Sequence, residues 1–131
     1  MSPPMSSEPI TITKAANRKP TPSQTPGMHR EEAFSSGEMW AGYVKSDPKS
    51  PSGWHHHGEN ESYIFVLEGQ LRFEFGIGGA EAVEAGPGDF VRVPKNTIHR
   101  ENNPGATVGK FVVFRFGTGP PNFNVDGPPR E

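Results

Sequence analysis

Three adjacent histidines, His55, His56 and His57, followed by Glu61, are the residues of this sequence best suited to chemistry. In an extended strand alternate side chains share a face, so His55 and His57 point one way and His56 the other. Two imidazoles held side by side on a stiff strand make two corners of a metal site. The Glu61 carboxylate is a candidate third ligand, and it stands just before the strand-like apolar run Tyr63-Ile64-Phe65-Val66-Leu67. Imidazole and carboxylate donors together suit iron, manganese, nickel, copper or zinc. The rest of the chain must supply a fourth ligand and a frame. His99 lies 42 residues beyond His57, so it joins the group only if the chain folds back between them.

The whole chain bounds what that frame can be. With 131 residues it is long enough for one domain with a real core. A net charge of -2, with lysines and arginines scattered, gives no basic patch and argues against a nucleic-acid partner. No apolar run approaches the roughly 20 residues of a membrane span, and the N-terminal residues lack the profile of a secretory signal. A cytoplasmic location is therefore expected. Zero cysteines exclude disulfides, thiolate catalysis and zinc-finger chemistry. Sixteen glycines, fifteen prolines and nine phenylalanines point to many short strands joined by tight turns.

Residues 1–27 are rich in Pro, Ser and Thr and read as a mostly flexible arm. Within it Ile10-Thr11-Ile12-Thr13 alternates and is β-branched, so it either adds a strand to a sheet edge, including a partner's, or stays unstructured. Residues 28–131 read as a single β domain with an extended C-terminal tail. Glu31 to Ser36 is expected to form one helical turn. Met39 to Val44 reads as the first core strand, followed by the histidine strand and then Ser62 to Leu67. Leu71-Arg72-Phe73-Glu74-Phe75 alternates cleanly, with Leu71, Phe73 and Phe75 inward. A hairpin at Gly76 to Gly79 leads to Ala80–Ala85, and Gly86-Pro87-Gly88-Asp89 turns into Phe90–Val93. Pro94 ends that strand, Thr97–Arg100 resumes, and Lys110–Phe116 is a long apolar strand. This spacing argues a sandwich or barrel.

These residues resemble the RmlC-like cupin superfamily, over about residues 38 to 117. His55, His57 and Glu61, with Gly69 beyond, match the ligand residues of the first cupin motif. Gly88, Pro94, His99 and Asn103 fit the spacing of the second, with Asn96 where glycine is usual. Two departures stand out. Lys49 occupies the position of the first motif's leading glycine, and seven rather than six residues separate Glu61 from Gly69. Either the strand carries an extra residue, or Ser62 occupies the usual glutamate position. In the second case the site is three histidines without a carboxylate, and Glu59 is a reserve candidate. The resemblance implies an all-β double-stranded helix, the jelly-roll barrel, holding one divalent transition metal ion on His55, His57, Glu61 and His99. One or two coordination positions would then remain open for water or substrate.

Other residues carry weaker signals. His56 is expected to face away from the lumen, and His29 has no evident role. Phe65, Phe73, Phe75, Phe111 and Phe114 form core and, in a small barrel, line the pocket as well. Tyr63 shares strand parity with Glu61 and is the nearest candidate proton donor, although packing alone accounts for it. Arg92 and Arg100 read as solvated, unless one lies at the barrel mouth and holds a substrate carboxylate. Three functions follow from the resemblance: a dioxygenase-like oxidoreductase acting on a small organic substrate; a non-redox metal-dependent isomerase, decarboxylase or lyase; or a non-catalytic small-ligand binding module. The aromatic, weakly polar lumen favours the first. A homodimer is expected, because an antiparallel sheet edge must be covered.

Overall fold

Glycine- and proline-rich punctuation every few residues leaves little room for helices, and the computed structural model, which describes residues 7–22 and 25–130, is built almost wholly of strands. In chain order these are β1 (Lys19–Pro20), β2 (Met28–Ser36), β3 (Met39–Ser46), β4 (His55–His56), β5 (Glu61–Glu68), β6 (Leu71–Phe75), β7 (Glu81–Ala85), β8 (Phe90–Val93), β9 (His99–Asn102), β10 (Gly109–Phe116) and β11 (Phe123–Asn124). They form two antiparallel sheets. One has the order β1-β2-β3-β10-β5-β8, the other β11-β4-β9-β6-β7. The consecutive hairpins place β10, late in the chain, between β3 and β5, which is the return a jelly roll requires. None of the described helices is long and apolar enough to cross a membrane.

One expectation for the N-terminal part is corrected. Glu31 to Ser36 is not a helical turn but the second half of β2, paired with β3 through a bulge between Glu32 and Phe34. The polar composition concealed a strand whose outer face is solvated. Residues 19 and 20 also belong to the sheet: Lys19 pairs with Glu32 and Pro20 with Glu31. Apolar burial does not hold them there. The Arg18 guanidinium lies 4.0 Å from the Tyr43 ring centroid and 3.4 Å from the Glu31 carboxylate. Ile10 to Thr13 forms no strand, although the Thr13 hydroxyl donates to the Ala33 carbonyl.

The core grades from apolar to polar along the barrel. On β5 the inward residues are Ser62, Ile64 and Val66; opposite them on β10 stand Arg115, Val113 and Phe111, in register. Val66 and Phe111, with Val44 and Leu71, make a dry floor of almost fully buried side chains. The opposite level is lined by serine, arginine and histidine. Charged outer residues answer one another across the ladder, as Arg72 does Glu84 at 3.2 Å and Arg100 does Glu74 at 2.9 Å. Arg100 also covers the Trp54 ring, so it has no part in the lumen. The residue at the second motif's glycine position, Asn96, has φ of 55°. Asparagine is the side chain that best tolerates that left-handed conformation after glycine, which explains the departure.

Candidate metal centre

The His55 and His99 backbones are cross-strand partners in the β4–β9 ladder, and His57 follows one alternation beyond His55. That register brings three imidazoles to the inner face, with ring centroids 4.5 Å apart for His55–His99 and 5.1 Å for each of the other two pairs. Glu101 completes the group. It lies two residues beyond His99 on β9 and therefore on the same face. One ligand-type atom from each of His55, His57, His99 and Glu101 lies within 4.8 Å of the others, and all four residues are buried.

Backbone carbonyls set the rings. His55 Nδ1–H donates to the Gly53 carbonyl at 2.8 Å, His57 Nδ1–H to Pro121 at 2.7 Å, and His99 Nδ1–H to Thr97 at 2.8 Å. With each Nδ1 so engaged, each Nε2 is the atom turned to the centre, the orientation that second-shell partners impose on metal-binding histidines. The Glu101 Oε1 atom is 3.1 Å from His99 Nε2 and 3.8 Å from His55 Nε2. The His55 Nε2 atom is buried without a hydrogen-bond partner. A buried unsatisfied nitrogen costs about 1–3 kcal/mol, and a cation beside it, held by the other two imidazoles and the carboxylate, would remove that cost. The donor set fits a divalent transition ion.

The charges agree with a site kept ready for a cation. Burial pushes the His57 imidazole down to about 3, against a smaller upward pull from Glu101, so it is neutral at ordinary pH. For His99 burial acts downward too, but the hydrogen bond and charge of Glu101 outweigh it and leave the imidazole raised. Burial would raise Glu101, yet the two neighbouring imidazoles, His99 within hydrogen-bond distance and His55 at 3.8 Å, hold it well below the usual carboxylate range. The carboxylate is ionised and pairs with His99 Nε2 at 3.1 Å.

Glu61 is not in this group, which corrects the expected ligand set. Ser62, opposite Arg115, is the residue of β5 turned inward, so alternation sends Glu61 outward. There its carboxylate accepts from Tyr63 Oη at 3.1 Å and from Arg92 Nη2 at 3.2 Å. Of the two readings of the seven-residue gap, the one that puts Ser62 in the usual glutamate position describes the structure, and Glu101 supplies the carboxylate from another strand. The reserve candidate Glu59 is exposed and accepts from the Asn96 side chain. Tyr63 and Arg92 are likewise outer-face residues. Of the five phenylalanines expected at the pocket, Phe73 and Phe75 line a cavity of about 420 Å³ on the His99 side. Phe111 is buried in the floor, whereas Phe65 stacks outward on Phe90 and Phe114 is exposed beside Tyr63.

Two further residues were not anticipated. Arg115 shares the inward parity of Phe111 and Val113, and Arg30 that of Met28. Both line a cavity of about 220 Å³ with Thr25, Trp40, His57 and Asn122. For Arg115 a charged residue on the inward parity of an otherwise apolar strand was the available signal; the polar β2 gave none for Arg30.

The C-terminal segment also contributes. Its Pro121 carbonyl holds His57, its Val125 N–H donates to the Trp54 carbonyl at 3.0 Å, and Phe123 stacks on the outward ring of His56 at 4.9 Å. Gly58, at φ of 58°, permits that approach, since a Cβ there would lie 2.7 Å from the Phe123 ring.

Two facing antiparallel sheets with a buried histidine–carboxylate group at one level of the barrel define a cupin. The model of the cupin domain family matches residues 42–115, more than half of the chain, and the protein belongs to that family. Among solved structures it is similar to the polyketide cyclase RemF from Streptomyces resistomycificus, with a TM-score of 0.72 and 20% identity over 88% of this chain and 85% of that one. It is also similar to a predicted oxalate decarboxylase from Thermotoga maritima, with a TM-score of 0.67 and 16% identity, covering 82% of this chain and 100% of that one. A third likeness is to an RmlC-like cupin from Shewanella frigidimarina, with a TM-score of 0.67 and 16% identity over 84% and 93% of the two chains. At these identities the likeness concerns the fold. A curated relative, the uncharacterized protein YdbB of Bacillus subtilis, is 34% identical over 62 residues, 47% of this chain and 53% of YdbB. The match thus spans about half the length of that relative.

Proposed function

We propose that the protein binds one divalent transition metal ion through His55, His57, His99 and Glu101 and acts as a dioxygenase-like oxidoreductase on a small organic substrate. The observation that carries this reading is the convergence of three carbonyl-oriented imidazoles and one ionised carboxylate on a single buried point, with one Nε2 left unpartnered. A metal held there would supply Lewis acidity and, if redox-active, one-electron chemistry beside the substrate. The chain's own residues do the rest. The carbonyls of Gly53, Pro121 and Thr97 fix the imidazoles, and the ionised Glu101 neutralises positive charge with Oε1 on the His99 side. Phe73, Phe75, Val83 and Val91 present an apolar wall that excludes water from the His99 side. The alternative, non-redox isomerase, decarboxylase or lyase chemistry, uses the same residues and is supported by fold likenesses to a polyketide cyclase and a predicted oxalate decarboxylase.

Oxygen uptake by iron-loaded protein, offered a panel of diketones, phenols and enols, tests the oxidative reading. Substrate-dependent uptake that disappears in His57→Ala is expected. Equal turnover under argon would replace it with the non-redox alternative, and metal-replete protein that turns over nothing would leave a binding module.

We further propose a homodimer. Ile10 and Ile12 are 97% and 73% exposed, apolar surface that a second subunit would cover. Deleting residues 1–14 is expected to shift sedimentation toward the monomer without loss of metal; an unchanged oligomer would remove that role for the segment.

A further inference from the structure

The His57 ring is set by a segment that apolar burial does not hold. Thr118, Gly119, Pro120 and Pro121 are all exposed, yet the Pro121 carbonyl accepts from His57 Nδ1–H at 2.7 Å. Beyond that point the segment is fastened by the short β4–β11 ladder, with Phe123 opposite His56 and Asn124 opposite His55. Before it the segment meets the side chain of Asn60, which lies between β4 and β5 and is 5% exposed. The Asn60 Nδ2 atom is 3.0 Å from the His57 carbonyl, 3.3 Å from that of Thr118 and 3.4 Å from that of Pro120.

A side-chain amide carries two N–H donors, so one serves His57 and the other is shared by Thr118 and Pro120. The His57 carbonyl also accepts from the Asn60 backbone N–H at 3.1 Å, which closes the turn His57-Gly58-Glu59-Asn60 with Gly58 at φ of 58°. One residue thus ties the main chain of a metal-site histidine to the segment that orients its side chain. The backbone is shaped for that approach. Gly117 has φ of 147°, and a Cβ there would collide with the Glu59 carbonyl and lie 2.7 Å from Asn60 Cα. Two prolines then carry the restraint forward, because each ring fixes φ and a residue before proline is confined to extended backbone. Anchoring the Pro120 carbonyl therefore goes far toward placing that of Pro121.

We infer that Asn60 is a positioning residue for the metal site: by holding residues 118–121 it keeps the Pro121 carbonyl on His57 Nδ1 and so presents Nε2 to the centre. His55 and His99 take their orientation from the Gly53 and Thr97 carbonyls instead, so the effect of Asn60 falls on one imidazole of the three. This inference deepens the metal-binding reading and rests on it for affinity, but the state of the His57 ring is measurable without metal or turnover.

Proton–nitrogen spectra of metal-free protein with isotope-labelled histidine read each ring directly. In the wild type the Nδ1–H protons of His55, His57 and His99 are expected to be protected from exchange with water. Asn60→Leu, close in shape and uncharged but without donors, should remove the His57 signal and spare the other two. Zinc affinity by chelator competition should fall roughly tenfold or more, the scale for groups that orient a ligand, with one zinc per chain still bound at saturation. If Asn60→Leu fails to fold, Asn60→Ala takes its place with the same expectations. Joint loss of all three signals in folded protein would mean a general structural role and overturn the inference. So would a His57 proton equally protected in wild type and variant, or one unprotected in the wild type. Selective loss of the His57 proton in protein that takes up no zinc would leave Asn60 as the residue that positions the ring and sink the metal reading. Tight zinc binding indifferent to Asn60 would do the reverse.

Discussion

Glu101→Ala should abolish stoichiometric metal binding, whereas Glu61→Ala should leave about one metal per chain. The two residues are both glutamates of strands flanking the barrel, but alternation separates them. Glu101 faces the three imidazoles with Oε1 at 3.1 Å and 3.8 Å from two of their Nε2 atoms, while Glu61 is engaged on the outer face by Tyr63 and Arg92. Loss of groups that merely orient a ligand weakens metal binding about 10- to 100-fold, so loss of Glu101 itself should reach at least the upper end of that range. Metal content of the dialysed variants by inductively coupled plasma mass spectrometry decides the matter. Retention of metal by Glu101→Ala would refute its place among the ligands, and loss by Glu61→Ala would require a site other than the one described.

A second large effect concerns acid. In metal-free protein the domain should lose much of its stability between pH 6.5 and about 3. His57 has an ordinary value of 6.5 and is pushed down to about 3 by burial, so below pH 6.5 the unfolded chain takes up a proton that the folded one refuses. Each unit of such a difference is worth about 1.4 kcal/mol, giving on the order of 4–5 kcal/mol across the window. Glu101 acts the same way at lower pH: its folded value is depressed, so the stability it contributes above its ordinary range is lost as pH falls through the folded value. His99 opposes them. Its value is raised, so its contribution is complete below 6.5 and is lost as pH rises through the folded value. Against a total of roughly 5–15 kcal/mol for a domain, the loss from His57 down to pH 4, about 3 kcal/mol, removes a large share of the stability. Urea titrations of chelator-treated protein at stepped pH would show a midpoint falling steadily below pH 6; a flat profile from 7 to 4 would contradict the burial of a neutral His57.

The contrast between what the residues foretold and what they concealed has a physical pattern. His55, His57 and His99 were grouped because alternation and chain return are both visible in order and spacing, and the structure brings all three together. The same alternation argument, applied to His99-Arg100-Glu101, would have found the carboxylate; attention to the first motif's acid directed it to Glu61 instead. Seven residues before Gly69 rather than six is a parity change, and parity on a strand decides inside from outside. Phe65 and Phe114 were misplaced for the same reason. Arg115 escaped notice because a lone arginine in an apolar strand reads as a surface residue until the facing strand, with Ser62 opposite, is known, and Arg30 because its strand is polar throughout. A sandwich or barrel was legible from turn spacing, and the jelly roll only from the resemblance of the two histidine motifs to cupins. The seating of residues 19 and 20 was not, because it depends on Arg18 meeting Tyr43 and Glu31 from other strands.

The hydrogen bond from His57 to Pro121 spans 64 positions of the chain, and this carries a consequence for biosynthesis. During translation the His55 and His57 segment is made well before the residue that sets the His57 ring. A nascent chain that has reached Asn103 holds all four inward residues but lacks both β10, the central strand between β3 and β5, and the carbonyl that orients one imidazole. Metal captured at that stage would meet an unframed cluster with little power to choose among ions. If the cluster binds a metal, selectivity would then arise only once the segment through Pro121 has emerged and docked, which would make loading a late event tied to the finished fold.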